Sequence, residues 1–291
     1  MSRLKDYEHA IGGLTGGLIS TLVCHPMDLL KIRYSANEGS VLRPQYSSYW
    51  DAARTISRAE GVRGLYQGLT PNILGCALSW GAYFHIYDIV QRRMTAALPP
   101  STSPNLTSFT CAYASGALVM CFTNPIWLVK TRLCLQYESS TKKYTGMADC
   151  MQKIVREEGF RGLYKGFVAG LIGASHGATH MMIYQHLKER RYAQLGLAKD
   201  SQLPFFDYFC STILSKILAN TLTYPYQVIR TRMQDHNAAY TGVWKTIKRT
   251  VQGEGVAGLY KGLLMANIRT LPATVIVFMT YEQVKHAIRA L

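Results

Sequence analysis

Long stretches without a charged side chain divide this sequence, if histidine is counted as neutral. They lie between Glu8 and Asp28, between Arg63 and Asp88, between Arg93 and Lys130, and between Lys165 and Lys188. Each is long enough for a transmembrane helix, which needs roughly 20 mostly apolar residues. Two further apolar stretches, interrupted by Lys216 and Arg269, complete a set of six. Because cations at membrane depth usually face water, the pattern predicts helices with one face toward lipid and another toward a cavity.

Two motifs recur three times in the same order along the chain. The first places cations five and seven residues after a proline, in PMDLLKIR (26–33), PIWLVKTR (125–132) and PYQVIRTR (225–232). The second is EGVRGLYQG (60–68), EGFRGLYKG (158–166) and EGVAGLYKG (254–262). This repetition predicts three copies of one unit, over 1–100, 101–200 and 201–291. Each unit is predicted to contain two long helices joined by a polar segment with a short amphipathic helix.

The prolines predict a kink near the end of the first long helix of each unit, because proline removes a backbone hydrogen bond. A kink there would turn the following acids and bases toward the bundle axis. Asp28 and Lys31 are three residues apart, so they share one helix face. Three such helix ends predict a ring of charged side chains that closes one end of the bundle.

Together, the two motifs resemble the signature of the mitochondrial carrier family (solute carrier family 25). The resemblance covers nearly the whole chain and implies an all-α membrane protein with six transmembrane helices in three pseudo-repeats. It also implies a monomeric transporter without a cofactor, located in the mitochondrial inner membrane and working by alternating access. The amino-terminal MSRLKDYEHAIGG lacks the features of a cleavable presequence.

The resemblance further implies a network of side-chain pairs that closes the matrix side. The pairs are Asp28 with Lys130, Trp127 with Arg230, and Gln227 with Lys31. The first alone is an ion pair, since Trp127 and Gln227 stand where the family pattern has acids. Two roles are open for Trp127: a cation–π contact with Arg230, or stacking on the ring of the substrate.

A second family motif implies a cytoplasmic network on the even-numbered helices. It appears as YDIVQ (87–91), YQHLK (184–188) and YEQVK (281–285). The implied pairs are Asp88 with Lys188, Gln185 with Lys285, and Glu282 with Gln91. Once more a single full ion pair is present. We call the two networks the matrix gate and the cytoplasmic gate, and we expect both to depend little on electrostatic attraction.

The net charge of +15 indicates an anionic partner. Lys216 and Arg269 lie within apolar stretches, where an ionisable residue indicates a functional site. The resemblance implies substrate contacts at Gly75, at Gly173 and Ala174, and at Arg269. We expect the small residues to leave room for a bulky substrate and Arg269 to bind its anionic group. Trp80 and Tyr83 either line the cavity or lie in the aromatic belt of a membrane interface.

The residues themselves indicate that the substrate is a bulky aromatic anion, and the family resemblance narrows the choice of substrate. The PIW of the second proline motif resembles family members that carry FAD, folates, NAD or pyrimidine nucleotides. Longer stretches, including NPIWLVKTRLCLQYE (124–138), resemble members that carry folate and FAD. FAD or folate is therefore the expected cargo, with NAD or a pyrimidine nucleotide as the alternative. Membrane lipid, including cardiolipin, is an implied partner at the matrix-side motifs.

Other classes of protein fit the sequence less well. GASHG (173–177) matches the nucleophile elbow of serine hydrolases, with Ser175, Asp207 and His286 as the candidate triad. The elbow needs a preceding strand, whereas this segment is uncharged and rich in glycine and alanine. A nucleic-acid-binding protein would cluster its cations on one face, but here they recur at matched repeat positions. A pore would not need the matched motifs at both ends.

Overall fold

The computed structural model describes residues 8–38, 44, 46–97, 104–137, 143–196, 203–236, 240 and 242–290. These residues form α-helices and contain no β-strand. The six long helices are α1 (Glu8–Ala36), α3 (Leu69–Ala97), α4 (Pro104–Cys134), α6 (Phe167–Leu195), α7 (Phe205–Gln234) and α9 (Leu263–Ala290). The short ones are α2 (Tyr49–Gly64), α5 (Met147–Gly162) and α8 (Val243–Glu254), with a 3₁₀ turn at Val256–Tyr260. The all-α prediction is confirmed, while the predicted unit boundaries near 100 and 200 lie outside the described residues.

Three described segments are long and apolar enough to cross a membrane by length and composition. They are Leu69–Met94, Phe109–Cys134 and Val256–Ile288. Of the other long helices, α6 and α7 carry more polar side chains. A helix that lines a polar cavity needs only one lipid-facing apolar side, which explains why composition by itself singles out fewer spans than the repeat pattern predicts.

The long helices pack most closely between units rather than within them. The close pairs are α1 with α9, α3 with α4, and α6 with α7. Glycines permit this approach: a Cβ added to Gly12 would lie 2.9 Å from Cδ2 of Tyr281, and one added to Gly16 would lie 2.9 Å from the Val277 carbonyl oxygen. Such small residues let helix backbones approach each other in a membrane.

An arginine–glutamate pair recurs in all three units at the end of the bundle where the short helices lie, here called the short-helix end. The arginine is the last residue of each proline motif and the glutamate is the first residue of each second motif. Nη1–Oε1 distances are 2.8 Å for Arg33–Glu60, 2.7 Å for Arg132–Glu158 and 2.8 Å for Arg232–Glu254. The arginine side chains are at most 1% exposed. We call these pairs the arginine–glutamate links.

Each link also reaches the next unit. The arginine Nε donates to a backbone carbonyl, from Arg33 to Cys134 at 2.9 Å, from Arg132 to Gln234 at 3.2 Å and from Arg232 to Ser35 at 3.1 Å. Each acceptor is the ninth residue after the proline of its own unit. The three links therefore close a ring that ties every short helix to two long helices.

The glycine that ends each second motif allows this ring to close. Gly68, Gly166 and Gly262 have φ of 77°, 76° and 91°, a left-handed conformation that favours glycine. An added Cβ would lie 3.0, 3.2 and 2.9 Å from the carbonyl oxygens of Lys130, Arg230 and Lys31, respectively. Both the backbone angle and the close approach to the next unit therefore require glycine here.

Glu158 illustrates how strongly a link favours the charged state. Burial would raise the pKa of its carboxyl, but hydrogen bonds from Arg132 and Lys165 lower the pKa to about 2. Lys165 Nζ lies 2.8 Å from the carboxylate. Since the folded-state pKa is depressed, this stabilisation is fully present above the ordinary value of 4.5 and is lost as the pH falls through about 2.

We expect Arg33→Met and Arg132→Met to destabilise the protein strongly. Each change leaves a largely buried glutamate without its guanidinium, and removing one partner of a buried ion pair costs about 3–5 kcal/mol. Thermal unfolding of the purified protein in detergent measures the effect.

Arg92→Met is the matched control for both changes. Arg92 pairs with Asp88 at 2.8 Å, but their side chains are 78% and 56% exposed. An exposed pair four residues apart on a helix contributes only about 0.3–0.5 kcal/mol. Equal losses of stability in the three variants would contradict the role given to the links.

Candidate functional site

A cavity of about 210 Å³ lies among α3, α4, α6 and α7. Most of its wall is small or apolar, including Gly116, Gly170, Val119 and Met120. Four predicted site residues also line it: Trp127, Gly173, Ala174 and Arg230. Tyr226, Ser79 and Thr123 add hydroxyl groups. The cavity thus combines an apolar wall with one guanidinium and two large aromatic rings.

The two predicted glycine contacts are filled by rings from the next unit. A Cβ added to Gly75 would lie 3.3 Å from Cε2 and Cζ2 of Trp127, and one added to Gly173 would overlap the ring of Tyr226. The expectation that these glycines leave open room for a substrate is therefore wrong for this conformation. The glycines instead form notches that seat Trp127 and Tyr226 beside the cavity.

Asp28 lies between two cations at the short-helix end. Its Oδ2 is 3.5 Å from Lys130 Nζ and its Oδ1 is 3.1 Å from Arg269 Nε. The predicted contact with Lys130 is present, and both side chains are largely buried. The contact with Arg269 joins α1 to α9 and was not predicted. Because Arg269 is held by a carboxylate, its charge is already partly offset.

Trp127 meets a different cation from the one predicted. Lys130 Nζ lies 5.3 Å from the centroid of the Trp127 ring. Arg230 instead donates from Nη2 to Oδ1 of Asn124 at 3.3 Å. A cation–π contact of Trp127 with Arg230, one of the two roles expected for this residue, is not formed in this conformation. Lys130 is one helical turn after Trp127, so its alkyl chain reaches the ring without crossing to another helix.

The third predicted matrix-side pair is also absent. Gln227 Nε2 donates to Oδ1 of Asn220 at 3.0 Å, two turns earlier on the same helix. Lys31 Nζ lies 5.9 Å from the centroid of the Tyr224 ring. An amide finds hydrogen-bond partners along its own helix, whereas a carboxylate at this position would have attracted the lysine.

At the opposite end of the bundle, the charged side chains contact their own or an adjacent helix. Asp88 pairs with Arg92, and Lys188 Nζ lies 5.5 and 5.4 Å from the ring centroids of Tyr192 and Tyr208. The predicted Asp88–Lys188 pair is therefore not formed.

The remaining predicted pairs at this end are not formed either. Glu282 lies 3.9 Å from Lys285 on the same helix, rather than meeting Gln91, which follows Asp88 on α3. Lys285 also lies over the Tyr281 ring, 5.9 Å from its centroid, and Gln185 is exposed. In this conformation the predicted cross-unit pairs therefore do not tie the opposite end of the bundle.

The remaining predicted side chains do not line the cavity. Lys216 Nζ donates to Thr274 Oγ1 at 3.3 Å, which links α7 to α9. Tyr83 lies one turn after the cavity-lining Ser79 and stacks on Tyr87 with centroids 6.0 Å apart. Trp80 follows Ser79 by one residue, which turns it about 100° round the helix. It is 63% exposed and is not part of the cavity wall, which favours the membrane-belt interpretation.

The hydrolase interpretation is not supported. Ser175 lies within α6 and donates to the Ile172 carbonyl at 2.7 Å. Asp207 pairs with Arg191 at 2.8 Å, and His286 is exposed on α9. No strand precedes the serine in the described residues, so the GASHG segment is a helix-packing sequence.

Comparison with known proteins agrees with this architecture. A family model described as "Mitochondrial carrier protein" matches residues 2–97, 101–194 and 201–290. The chain belongs to the mitochondrial carrier family. It is therefore a transporter of small anionic molecules and a multi-pass protein of the mitochondrial inner membrane. We take the short-helix end as the matrix end, as the family resemblance implies.

Several relatives span almost the whole chain. Folate transporter 1, chloroplastic, of Arabidopsis thaliana is 37% identical over 98% of this chain and 96% of its own length. The mitochondrial FAD carrier protein of Saccharomyces cerevisiae is 33% identical over 96% of both chains. Mitochondrial nicotinamide adenine dinucleotide transporter 1 of the same yeast is 33% identical over 94% of this chain and 75% of its own length.

Sequence reasoning missed Tyr226 and Asn124, although each lies next to the proline of its motif. The motif pattern directed attention to the charged positions, and nothing in the spacing predicts that a ring from α7 lies against Gly173 on α6. The adjacency of an aromatic to the proline, as in PYQ (225–227), was the available signal.

We expect Asp28→Asn to weaken the matrix end. Lys130 and Arg269 would keep their charges but lose the carboxylate between them, and such a loss costs roughly 3 kcal/mol or more at a buried site. Thermal unfolding in detergent measures it. Glu282→Gln, whose side chain is 50% exposed, is the control and should change stability by less than about 1 kcal/mol. An unchanged stability of Asp28→Asn would show that the carboxylate does not hold this end together.

Proposed function

We propose that this carrier transports a bulky anion with a flat heteroaromatic ring system, FAD or a folate, by alternating access. The observation that carries the proposal is the position of Trp127. Its indole lines the cavity near the matrix end, at a position where the family motif has an acid. A flat ring can stack on an indole, a contact worth about 0.5–1.5 kcal/mol beyond the buried area.

The charge around the cavity supports an anionic cargo. One cation, Arg230, lines the cavity. Among the described residues, Lys31, Lys130 and Arg269 surround Asp28, and Lys216 lies near Arg269. These cations outnumber the single carboxylate of Asp28. Fixed cations in a confined space with low-dielectric walls raise the local concentration of anions. FAD carries phosphates and folates carry carboxylates, so each joins a flat ring to the negative charge that this cavity attracts.

The gates fit an alternating-access cycle. At the matrix end, Asp28, Lys130 and the arginine–glutamate links hold neighbouring units together. At the cytoplasmic end, the side chains proposed to form the other gate make no cross-unit pairs with their predicted partners; they are Asp88, Gln91, Gln185, Lys188, Glu282 and Lys285. We propose that the pairs at the cytoplasmic end form when the matrix end opens, so that the cavity faces one side at a time.

Lipid contacts are proposed for the short helices. Trp50, Phe160 and Trp244 are 75%, 76% and 79% exposed on α2, α5 and α8. Exposed aromatic rings are typical of the membrane interface, and cations of the second motifs lie nearby, which suits an anionic lipid such as cardiolipin. We propose a monomer as the transporting unit, because one chain supplies the cavity and both gates.

NAD and pyrimidine nucleotides form a second candidate class. They share the flat ring and the phosphates, and a relative named as a nicotinamide adenine dinucleotide transporter has the same identity as the FAD carrier. The cavity chemistry described above suits both classes, so a direct comparison of ligands must separate them.

Purified carrier in detergent should be stabilised by FAD or 5-formyltetrahydrofolate more than by NAD, UTP, 2-oxoglutarate or glutamine. A ligand that binds the folded state raises apparent stability by about 2.7 kcal/mol at a hundred times its Kd. The same compounds, labelled, are then tested for saturable uptake into liposomes. Stabilisation by 2-oxoglutarate or glutamine and by no aromatic anion would refute the proposal. A response to NAD or UTP only would select the second class.

Trp127 variants test the stacking interaction. Trp127→Phe should retain most of the affinity for the transported compound, whereas Trp127→Ala should weaken it roughly tenfold, because an aromatic face is lost. Isothermal titration calorimetry measures the Kd. Trp80→Ala separates the two interpretations of Trp80, a residue of the cavity or of the membrane belt. A loss of affinity would show that Trp80 contacts the substrate. Equal affinities for Trp127→Ala and the wild type would make Trp127 a packing residue.

A further inference from the structure

The cations around the cavity differ in what offsets their charge. Lys130 and Arg269 share Asp28, at 3.5 and 3.1 Å. Arg230 has no carboxylate within ion-pair distance in the part of the chain that the structure describes. Its one hydrogen-bond partner there is the neutral amide oxygen of Asn124, 3.3 Å from Nη2. Arg230 therefore brings an uncompensated positive charge to the cavity wall.

The guanidinium of Arg230 lies against Gly170 of α6. A Cβ added to Gly170 would lie 3.3 Å from Cζ and 3.4 Å from Nη1 of Arg230, and 2.7 Å from Sδ of Met120. The missing side chain at Gly170 thus makes the space in which the guanidinium lies. A guanidinium has five N–H donors, so most of the donors of Arg230 remain for a ligand in the cavity.

Aromatic rings from two helices line the same cavity as this guanidinium. Tyr226 precedes Arg230 by one turn on α7, and its ring occupies the notch at Gly173, one turn from Gly170 on α6. Trp127 lines the same cavity from α4. A guanidinium and two aromatic rings that line one cavity match a ligand that joins an oxyanion to a flat heterocycle.

We infer that Arg230, rather than Arg269, binds the anionic group of the substrate, and that Tyr226 provides a ring face for its heterocycle. The inference rests on the proposed function. A buried cation without a counter-charge is unfavourable, and a phosphate or carboxylate supplies that charge through two parallel N–H···O bonds. Arg269 gains less from the same anion because Asp28 already offsets its charge.

The test compares FAD with riboflavin, which has the same ring system and no phosphate. Kd values are measured by isothermal titration calorimetry on the wild type, Arg230→Met and Arg269→Met. Arg230→Met should weaken FAD binding tenfold or more and change riboflavin binding less than twofold, because a charge-assisted hydrogen bond is lost only with the phosphates. Arg269→Met should reduce the preference for FAD by a smaller factor. Folic acid and pterin, which share the pterin ring, give a second pair.

Two results would overturn the assignment of Arg230. One is an equal loss for FAD and riboflavin in Arg230→Met, which indicates a packing role. The other is a loss of the FAD preference in Arg269→Met but not in Arg230→Met. Because the ratio of the two Kd values is measured within one variant, a partial loss of folded protein does not imitate the expected result. Arg230→Lys, which keeps the charge without the paired donors, should give an intermediate ratio.

Tyr226 is tested with Tyr226→Phe and Tyr226→Leu. The phenylalanine variant keeps the ring face and should bind FAD and riboflavin with wild-type affinity within about twofold. The leucine variant should weaken both ligands by a similar factor, since stacking does not depend on the phosphates. A leucine variant with a lower unfolding temperature but unchanged Kd values would limit Tyr226 to filling the notch at Gly173.

The inference and the proposed substrate can fail separately. If the wild type binds NAD or UTP but neither FAD nor a folate, the proposed substrate is wrong. The same variants are then used to compare NAD with adenosine, or UTP with uridine. A loss of affinity confined to the charged compound still supports the assignment of Arg230, whereas equal losses for both compounds overturn it. If the wild type binds no aromatic anion of the panel, both the substrate and the assignment of Arg230 are wrong.

Discussion

Arg33, Arg132 and Arg232 each connect three elements through one guanidinium. Each pairs with a glutamate on the short helix of its own unit and donates to a carbonyl near the end of a long helix in the next unit. Burying such a charge costs several kcal/mol unless it is paired and hydrogen-bonded. All three meet this requirement only when the units surround one axis, so the ring of links enforces the bundle geometry at the matrix end. The cavity, the notches at Gly75 and Gly173, and Asp28 with its two cations all lie on the side of this ring that faces the other end of the bundle.

The pseudo-threefold scaffold carries an asymmetric site. Of the three equivalent positions two residues after the motif prolines, the first is occupied by an acid, Asp28, and the others by Trp127 and Gln227. Asp28 consequently gathers Lys130 and Arg269, while Arg230 is left with an amide oxygen. Replacing an acid by an indole therefore has two effects at one place: it adds a ring to the cavity wall and removes the partner of a cation. These effects together create a surface suited to an aromatic anion between the second and third units.

The two ends of the bundle also differ in how their charges are arranged. At the matrix end, cations meet carboxylates or backbone carbonyls from other units. At the cytoplasmic end, Lys188 lies over Tyr192 and over Tyr208 of the next unit, and Arg191 pairs with Asp207 of the next unit. Asp88 pairs with Arg92 on its own helix. The Asp88–Arg92 pair is exposed, and such a pair contributes only about 0.3–0.5 kcal/mol. Little stability is therefore lost if Asp88 exchanges Arg92 for a partner on a neighbouring unit, which suits a gate.

The family resemblance implied the pair formed by Asp28 and Lys130. The sequence by itself determined the six long helices, the threefold repeat and the family. These features follow from hydrophobic segment length and from the spacing of prolines and charges, which the repeat presents three times. The tertiary structure decided that Arg269 joins Asp28, that Lys130 rather than Arg230 lies over Trp127, and that Tyr226 fills the notch at Gly173. Those contacts depend on the distance between helices of different units and on side-chain rotamers. Motif spacing within one helix contains no information about either.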